Sequence, residues 1–189
     1  MKGVIIAIVA VIVLGVVYFA WSIGVKNDII AKQNIVEEKW ADIDNMLLSR
    51  NEKIPKLAAV TNKALEHEKD IFTQLTDARA RMVSGNLSRS EKMEAANEMS
   101  SVISRLLVIN ESNPQLKADK TLTSLMDEVA GMENRLAYAR SEYNKAVKNY
   151  NTTIQQWPGN TFGFERMEMF KVPEEKKADV DMDALLNKK

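Results

Sequence analysis

Residues 122–157, LTSLMDEVAGMENRLAYARSEYNKAVKNYNTTIQQW, decide the fold. Counting by sevens from Leu122 gives Leu122, Val129, Leu136, Tyr143, Tyr150 and Trp157. Counting from Met126 gives Met126, Glu133, Arg140, Val147 and Ile154. A seven-residue apolar repeat is one face of a helix, kept against a partner by left-handed supercoiling. The repeat predicts one helix over residues 118–156, ended by Pro158 and Gly159.

The same period runs upstream. One row reads Val36, Ile43, Arg50, Leu57, Ala64, Ile71, Ala78; its companion reads Trp40, Leu47, Ile54, Thr61, Glu68, Leu75, Met82. Pro55 lies inside these rows and removes one backbone donor, which predicts a kink or a break near residues 51–55. Ser84-Gly85-Asn86 reads as a turn. Ser88 followed by Glu91 is a capping box that starts a further helix. That helix turns Ala96, Met99, Ile103, Leu106 and Leu107 inward and stops before Asn113-Pro114. Between residues 26 and 157 the only glycines are Gly85 and Gly131, and the only prolines Pro55 and Pro114. Such a chain lacks the turns that many short strands need. The expected fold is all-α: an N-terminal transmembrane helix, then an antiparallel bundle of three to four long helices.

Residues 4–25, VIIAIVAVIVLGVVYFAWSIGV, carry no charge. As a helix they extend roughly 33 Å, about one bilayer core. Tyr18, Phe19 and Trp21 gather at one end, where amphipathic rings prefer the interface. The competing reading is a cleaved signal peptide, with Lys2 as its basic start and Ala20-Trp21-Ser22 as the cleavage site. Against it, the apolar run is long for a signal and no turn former marks a cleavage region. The chain thus divides into an anchor (1–26), a helical bundle (27–157), an aromatic segment packing on the bundle end (158–173) and a charged, flexible tail (174–189). Lys26, Lys32 and Lys39 follow the span against Lys2 before it. This lean places the domain on the cytoplasmic side of the cell membrane. A short N-terminal tail can also stay inside while the domain is exported, so the periplasmic or extracellular side stays open.

Composition removes several function classes. Lys+Arg 26 against Asp+Glu 26 leaves no basic excess for nucleic acid. Without cysteine there is no disulfide, thiolate metal site or cysteine nucleophile. One histidine, His67, is a poor start for a metal site; a structural role is favoured over pH sensing. No P-loop, dinucleotide fingerprint, HExxH, GxSxG or EF-hand pattern occurs. Neither a cofactor nor a metal is expected.

Four ionised residues violate the apolar rows: Arg50, Glu68, Glu133 and Arg140. Arg79, next to Ala78, lies close to the same face. Buried unpaired charge is costly, so these groups must pair or open onto water. Interhelical salt bridges that fix register are the leading reading. A polar groove for an anionic or peptide ligand is the second. Catalysis by Glu68 and Glu133 comes last, because arginines beside both carboxylates argue against proton donation. Tyr143-Asn144 and Tyr150-Asn151 form a repeated pair seven residues apart. The amides suit bonding across helices or capping the closing end, and the rings suit the core rather than base stacking.

Together these stretches resemble the LemA family of bacterial membrane proteins. The resemblance rests on the span, Asn34 and VEEKWADID (36–44), LLSRNEKIPKL (47–57), HEKDIFTQLTDAR (67–79), ENRLAYARSEYNKAVKNYN (133–151) and WPGNTFGF (157–164). Asn51 and Glu52 stand where the family often has arginine and aspartate, and Trp157 where phenylalanine is usual. The resemblance implies a membrane-tethered antiparallel helical domain and carries no molecular role with it. The expected function is a non-catalytic membrane-anchored scaffold, in contact with lipid, that binds unidentified protein partners and is able to self-associate. The alternative is a tethered sensor or binding module using Arg50, Arg79 and Arg140.

Overall fold

The computed structural model describes residues 2–64, 69–83, 85, 87–114 and 118–171. Four helices carry almost all of them: α1 (Lys2–Ala64), α2 (Lys69–Val83), α3 (Arg89–Ser112) and α4 (Lys120–Gln155). A 3₁₀ turn follows at Gly159–Thr161. No strand occurs among the described residues. The chain is all-α, with an apolar N-terminal helix leading into a helical bundle.

α1 is long and apolar enough near its N-terminus to cross a membrane. Every residue from position 2 to position 21 is exposed, and Ser22 and Val25 are the first to be partly covered. A helix apolar on all sides and packed against nothing is suited to lipid, where its backbone bonds are already satisfied internally.

By packing, the chain forms two units. The first combines Met1–Ala41 with Glu142–Met169. In it Ile29 and Val36 of α1, and Tyr143, Val147, Tyr150 and Ile154 of α4, are buried. Lys32 bonds Thr153 at 3.0 Å, and the rings of Trp40 and Tyr143 meet edge to face at 5.6 Å. Rising numbers on α1 meet falling numbers on α4, so the two run antiparallel there.

The second unit comprises Asp42–Ser141 and the chain from Phe170. Its core joins Ile54 and Leu57 of α1, Ile71 and Leu75 of α2, Met99, Ile103 and Leu106 of α3, and Leu122, Met126 and Val129 of α4. Each such side chain contributes roughly 1.5–3 kcal/mol when fully buried. Leu107 packs on this core while only partly buried. Side-chain pairs between the helices give the directions. Arg81–Glu98 and Arg105–Gln74 make α2 and α3 antiparallel. Lys53–Glu128 and Arg50–Glu133 do the same for α1 and α4. Lys92–Asp44, with Arg50 on Ala96, makes α1 and α3 parallel.

The helix ends follow their capping chemistry. Ser88 Oγ accepts from the Glu91 N–H at 3.3 Å, and the Glu91 carboxylate accepts from the Ser88 N–H at 2.8 Å. This capping box starts α3, and Asn113 ends it before Pro114. Asp119 caps α4 by accepting from the N–H groups of Thr121 and Leu122 at 2.9 and 3.1 Å. The start therefore falls two residues later than the repeat alone predicts.

Two expectations need correction. Of the kink or break expected near residues 51–55, the break is absent: α1 continues through Pro55 to Ala64. Ile54 and Leu57 are fully buried beside it, and that packing outweighs the one lost backbone bond. Trp157 does not extend the buried row: the residue is 65% exposed, because α4 ends at Gln155. Of the expected turn at residues 84–86, only Gly85 belongs to the described residues.

Candidate functional site

The heptad violations on α1 and α4 meet α3 in the second unit. Arg50, 1% exposed, donates from Nη1 to Glu133 Oε1 at 2.8 Å and to Ser100 Oγ at 3.0 Å. Its Nη2 donates to the Ala96 carbonyl at 3.3 Å. Arg140, 8% exposed, uses the same two acceptors, Ser100 Oγ at 3.2 Å and Ala96 O at 3.4 Å. Its guanidinium carbon also lies 4.4 Å from the centre of the Phe170 ring, a cation–π contact. Ser100 is the hub: its Oγ accepts from both arginines and donates to Ala96 O at 2.9 Å.

This arrangement is unevenly balanced. Glu133, with a side chain 14% exposed, faces Arg50, while Arg140 has a carbonyl, a hydroxyl and an aromatic face. Burial first, and then the charge of Arg50, push the Arg140 guanidinium down to about 10; Glu133 pulls the other way. The Nε atoms of both arginines are buried without a partner among the described residues. Beside Arg50 lies a cavity of about 50 Å³ lined by Met46, Ser49, Arg50, Met132, Arg135 and Leu136. It has room for a few waters or one small anion.

The tyrosine–asparagine repeat does a different job in the first unit. Past the 3₁₀ turn the chain runs back along α4 as a strap. Tyr150 Oη donates to the Glu165 carbonyl at 3.0 Å, and Tyr143 Oη donates to the Glu168 carbonyl at 2.9 Å. Between them Asn151 grips both backbone groups of Met167, donating from Nδ2 at 2.8 Å and accepting at Oδ1 at 2.9 Å. A side-chain amide mimics a β-ladder partner here, so an extended segment is held without a sheet. Asn144 is half-buried beside them. Burial, and then the Glu165 carboxylate, raise the Tyr150 phenol above its ordinary value. Gly159 allows the turn into the strap, because a Cβ there would collide with the Thr153 carbonyl. Gly163 has φ 72°, the left-handed region.

Arg79 stands outside the cluster. It is exposed, because one residue past buried Ala78 the helix has turned by about 100°. Glu68 and His67 lie outside the described residues. The structure thus brings Arg50, Glu133 and Arg140 together, and groups Tyr143, Tyr150 and Asn151 around the strap. Sequence reading did not single out Ser100 or the Ala96 carbonyl. The signal for Ser100 was present, since it sits four residues after Ala96 and three before Ile103 in the inward stripe of α3. Phe170 belongs to the aromatic segment 158–173 expected to pack on the bundle end; its service to a guanidinium has no sequence mark.

Comparison with known proteins adds a lineage. A family model described as LemA family matches residues 39–183. Magnetosome protein MamQ 2 of Paramagnetospirillum magneticum is 24% identical over 202 aligned positions, covering 90% of this chain and 74% of that protein. Protein LemA of Metamycoplasma hominis is 20% identical over 181 positions, covering 94% of this chain and 82% of its own length. Magnetosome protein MamQ of Magnetospirillum gryphiswaldense is 33% identical over a shorter stretch, 36% of this chain and 26% of that protein.

Proposed function

We propose, from the premise that this chain belongs to the LemA family, that it is a non-catalytic, single-pass membrane scaffold whose helical faces bind protein partners, including copies of itself. The observation that carries this reading is α1. One helix, Lys2–Ala64, supplies both the apolar span and the first helix of the bundle, with no linker between. The chemistry-bearing residues also turn inward. Arg50 and Glu133 are spent on each other, and Tyr143, Tyr150 and Asn151 on backbone groups of the strap. What faces outward beyond the span includes apolar side chains such as Leu48, Val108 and Tyr138. Confinement to a membrane raises effective concentration and favours self-association through such faces.

Crosslinking in native membranes, read by mass spectrometry, tests this. Recurrent links from α1, α3 or α4 to a second copy or to a reproducible set of membrane proteins are expected. Links confined to within one chain contradict it. Lys26, Lys32 and Lys39 support a cytoplasmic domain, and protease protection in sealed inverted vesicles checks it: cytoplasmic residues are cut, exported ones are spared.

A second reading, a binding module for a small anion, is favoured by one observation. Two buried guanidinium groups share a cluster with one described carboxylate, and Arg50 lines a cavity. Calorimetric titration with inorganic phosphate separates the two readings. Binding that Arg140→Ala abolishes without loss of helicity supports the module; no binding supports the scaffold.

A further inference from the structure

Trp157 departs from the pattern that surrounds it. It closes the buried heptad row in sequence, yet the residue is 65% exposed, and a tryptophan left that open contributes little to a core. What it touches lies far away in sequence. Its ring centroid is 5.2 Å from that of Trp21, with the planes tilted by 40°, and Trp21 is in turn 6.0 Å from Tyr18. Three rings from two ends of the chain thus form one cluster within the first unit.

The level of that cluster is fixed by α1. Trp21, 44% exposed although the Trp157 ring touches it, is the last of the unbroken run of exposed residues from position 2, and Ser22 is the first that is partly covered. Lys26 follows five residues later, roughly 7–8 Å further along the axis, a headgroup distance beyond the rings. Trp21 therefore sits at the boundary between lipid and water, and Trp157 shares its height. The surrounding sequence suits that place. QQWPGNTFGF, residues 155–164, carries no charge. It can approach a bilayer without the cost of desolvating an ion. An indole with an apolar body and one N–H donor is the side chain best matched to the interface.

We infer that the 157–162 turn is a second membrane contact, with Trp157 seated in the interfacial layer of a lipid surface beside the span. The inference rests on α1 being a membrane span. The chain would then touch the bilayer at two points distant in sequence, one crossing it and one resting on it.

The protein contains three tryptophans, so each can be made a sole reporter. The full chain is reconstituted in phosphatidylcholine vesicles whose acyl chains are brominated either near the headgroup or near the chain end. In the Trp21→Phe/Trp40→Phe protein, Trp157 should lose most of its fluorescence to the shallow bromines, little to the deep ones, and little to aqueous iodide. Strong iodide quenching with no bromine quenching overturns the inference. So does protection from both, which would mean that a second protein copy covers the ring. The Trp40→Phe/Trp157→Phe protein reports on Trp21 separately. Bromine quenching of Trp21 but not of Trp157 rejects the turn contact and keeps the anchor, whereas no quenching of either rejects the anchor itself. Should the double variants misfold, a spin label on Trp157→Cys, in a chain with no other cysteine, gives the same discrimination. Greater accessibility to oxygen than to a water-soluble nickel complex supports the contact, and the reverse overturns it.

Discussion

The two units handle polar residues in the core by opposite means. In the first, Tyr143, Tyr150 and Asn151 are neutral, and each hydrogen-bonds to backbone groups of residues 165–168. In the second, Arg50, Arg140 and Glu133 are ionised, and two guanidinium nitrogens remain unpartnered among the described residues. Neutral groups that match their partners hold a segment in place at little cost. A charged cluster fixes register but pays a desolvation penalty, and it becomes a liability when one member is removed.

The largest effect should come from breaking the charged side. Arg50→Met leaves Glu133 without its partner and should cost about 3–5 kcal/mol, read by chemical unfolding of the full chain in detergent. Arg140→Met removes a cation that Glu133 does not contact and should change stability by only about 1 kcal/mol in either direction. Equal losses would erase the distinction between the two arginines.

The neutral side should respond less. Asn151→Leu removes both bonds to Met167 and leaves its backbone groups unpaired, for a loss of about 1–3 kcal/mol. Amide exchange at residue 167 should accelerate much more than exchange at the core of α3. Uniform acceleration would mean that the strap is not a separate element.

Alkali probes another contact of the strap, Tyr150 on the Glu165 carbonyl, more gently. The Tyr150 phenol titrates above its ordinary value of 10.0 in the folded chain. It therefore binds its proton more tightly when folded than when unfolded. Its contribution is complete below pH 10 and is lost as pH rises through the folded value. Tyr150→Phe should flatten that alkaline decline; an unchanged slope would assign the decline to another group.

The smallest effect is at the start of α3. Bonds from the Ser88 hydroxyl and then its N–H hold the Glu91 carboxyl below its ordinary value of 4.5. That stability is present above pH 4.5 and lost as pH falls through the folded value. Acid-dependent fraying of the first turn of α3, seen by amide exchange, should appear in wild type and be absent from Glu91→Gln; the same acid dependence in both would assign it to another group.

Much of this was legible in the sequence because burial writes a period. Val36, Ile43, Leu47, Ile54 and Leu57 stand at coiled spacing, and the rows that located them also located Arg50, Glu133 and Arg140 as intruders. Partners were harder to read. Spacing tells which face a residue occupies, not which acceptor waits opposite, so Ser100 and the Ala96 carbonyl went unassigned. Arg79 misled because adjacency to a buried residue is not membership of its face. At Pro55 the helix does not break, because a single missing donor weighs less than the packing around it. Residues 158–173 read as a segment packing on the bundle end, but the course of the strap could not be read: residues 164–171 have no period, and their position depends on amides and phenols of α4.

The central claim, that the buried ions lock the bundle rather than serve a ligand, is tested most directly by a double-mutant cycle on Arg50 and Glu133. Unfolding free energies of Arg50→Met, Glu133→Leu and the combined variant should show a favourable coupling of about 1–3 kcal/mol, the double variant recovering much of what the first single change loses. Additivity to within about 0.5 kcal/mol would contradict the lock.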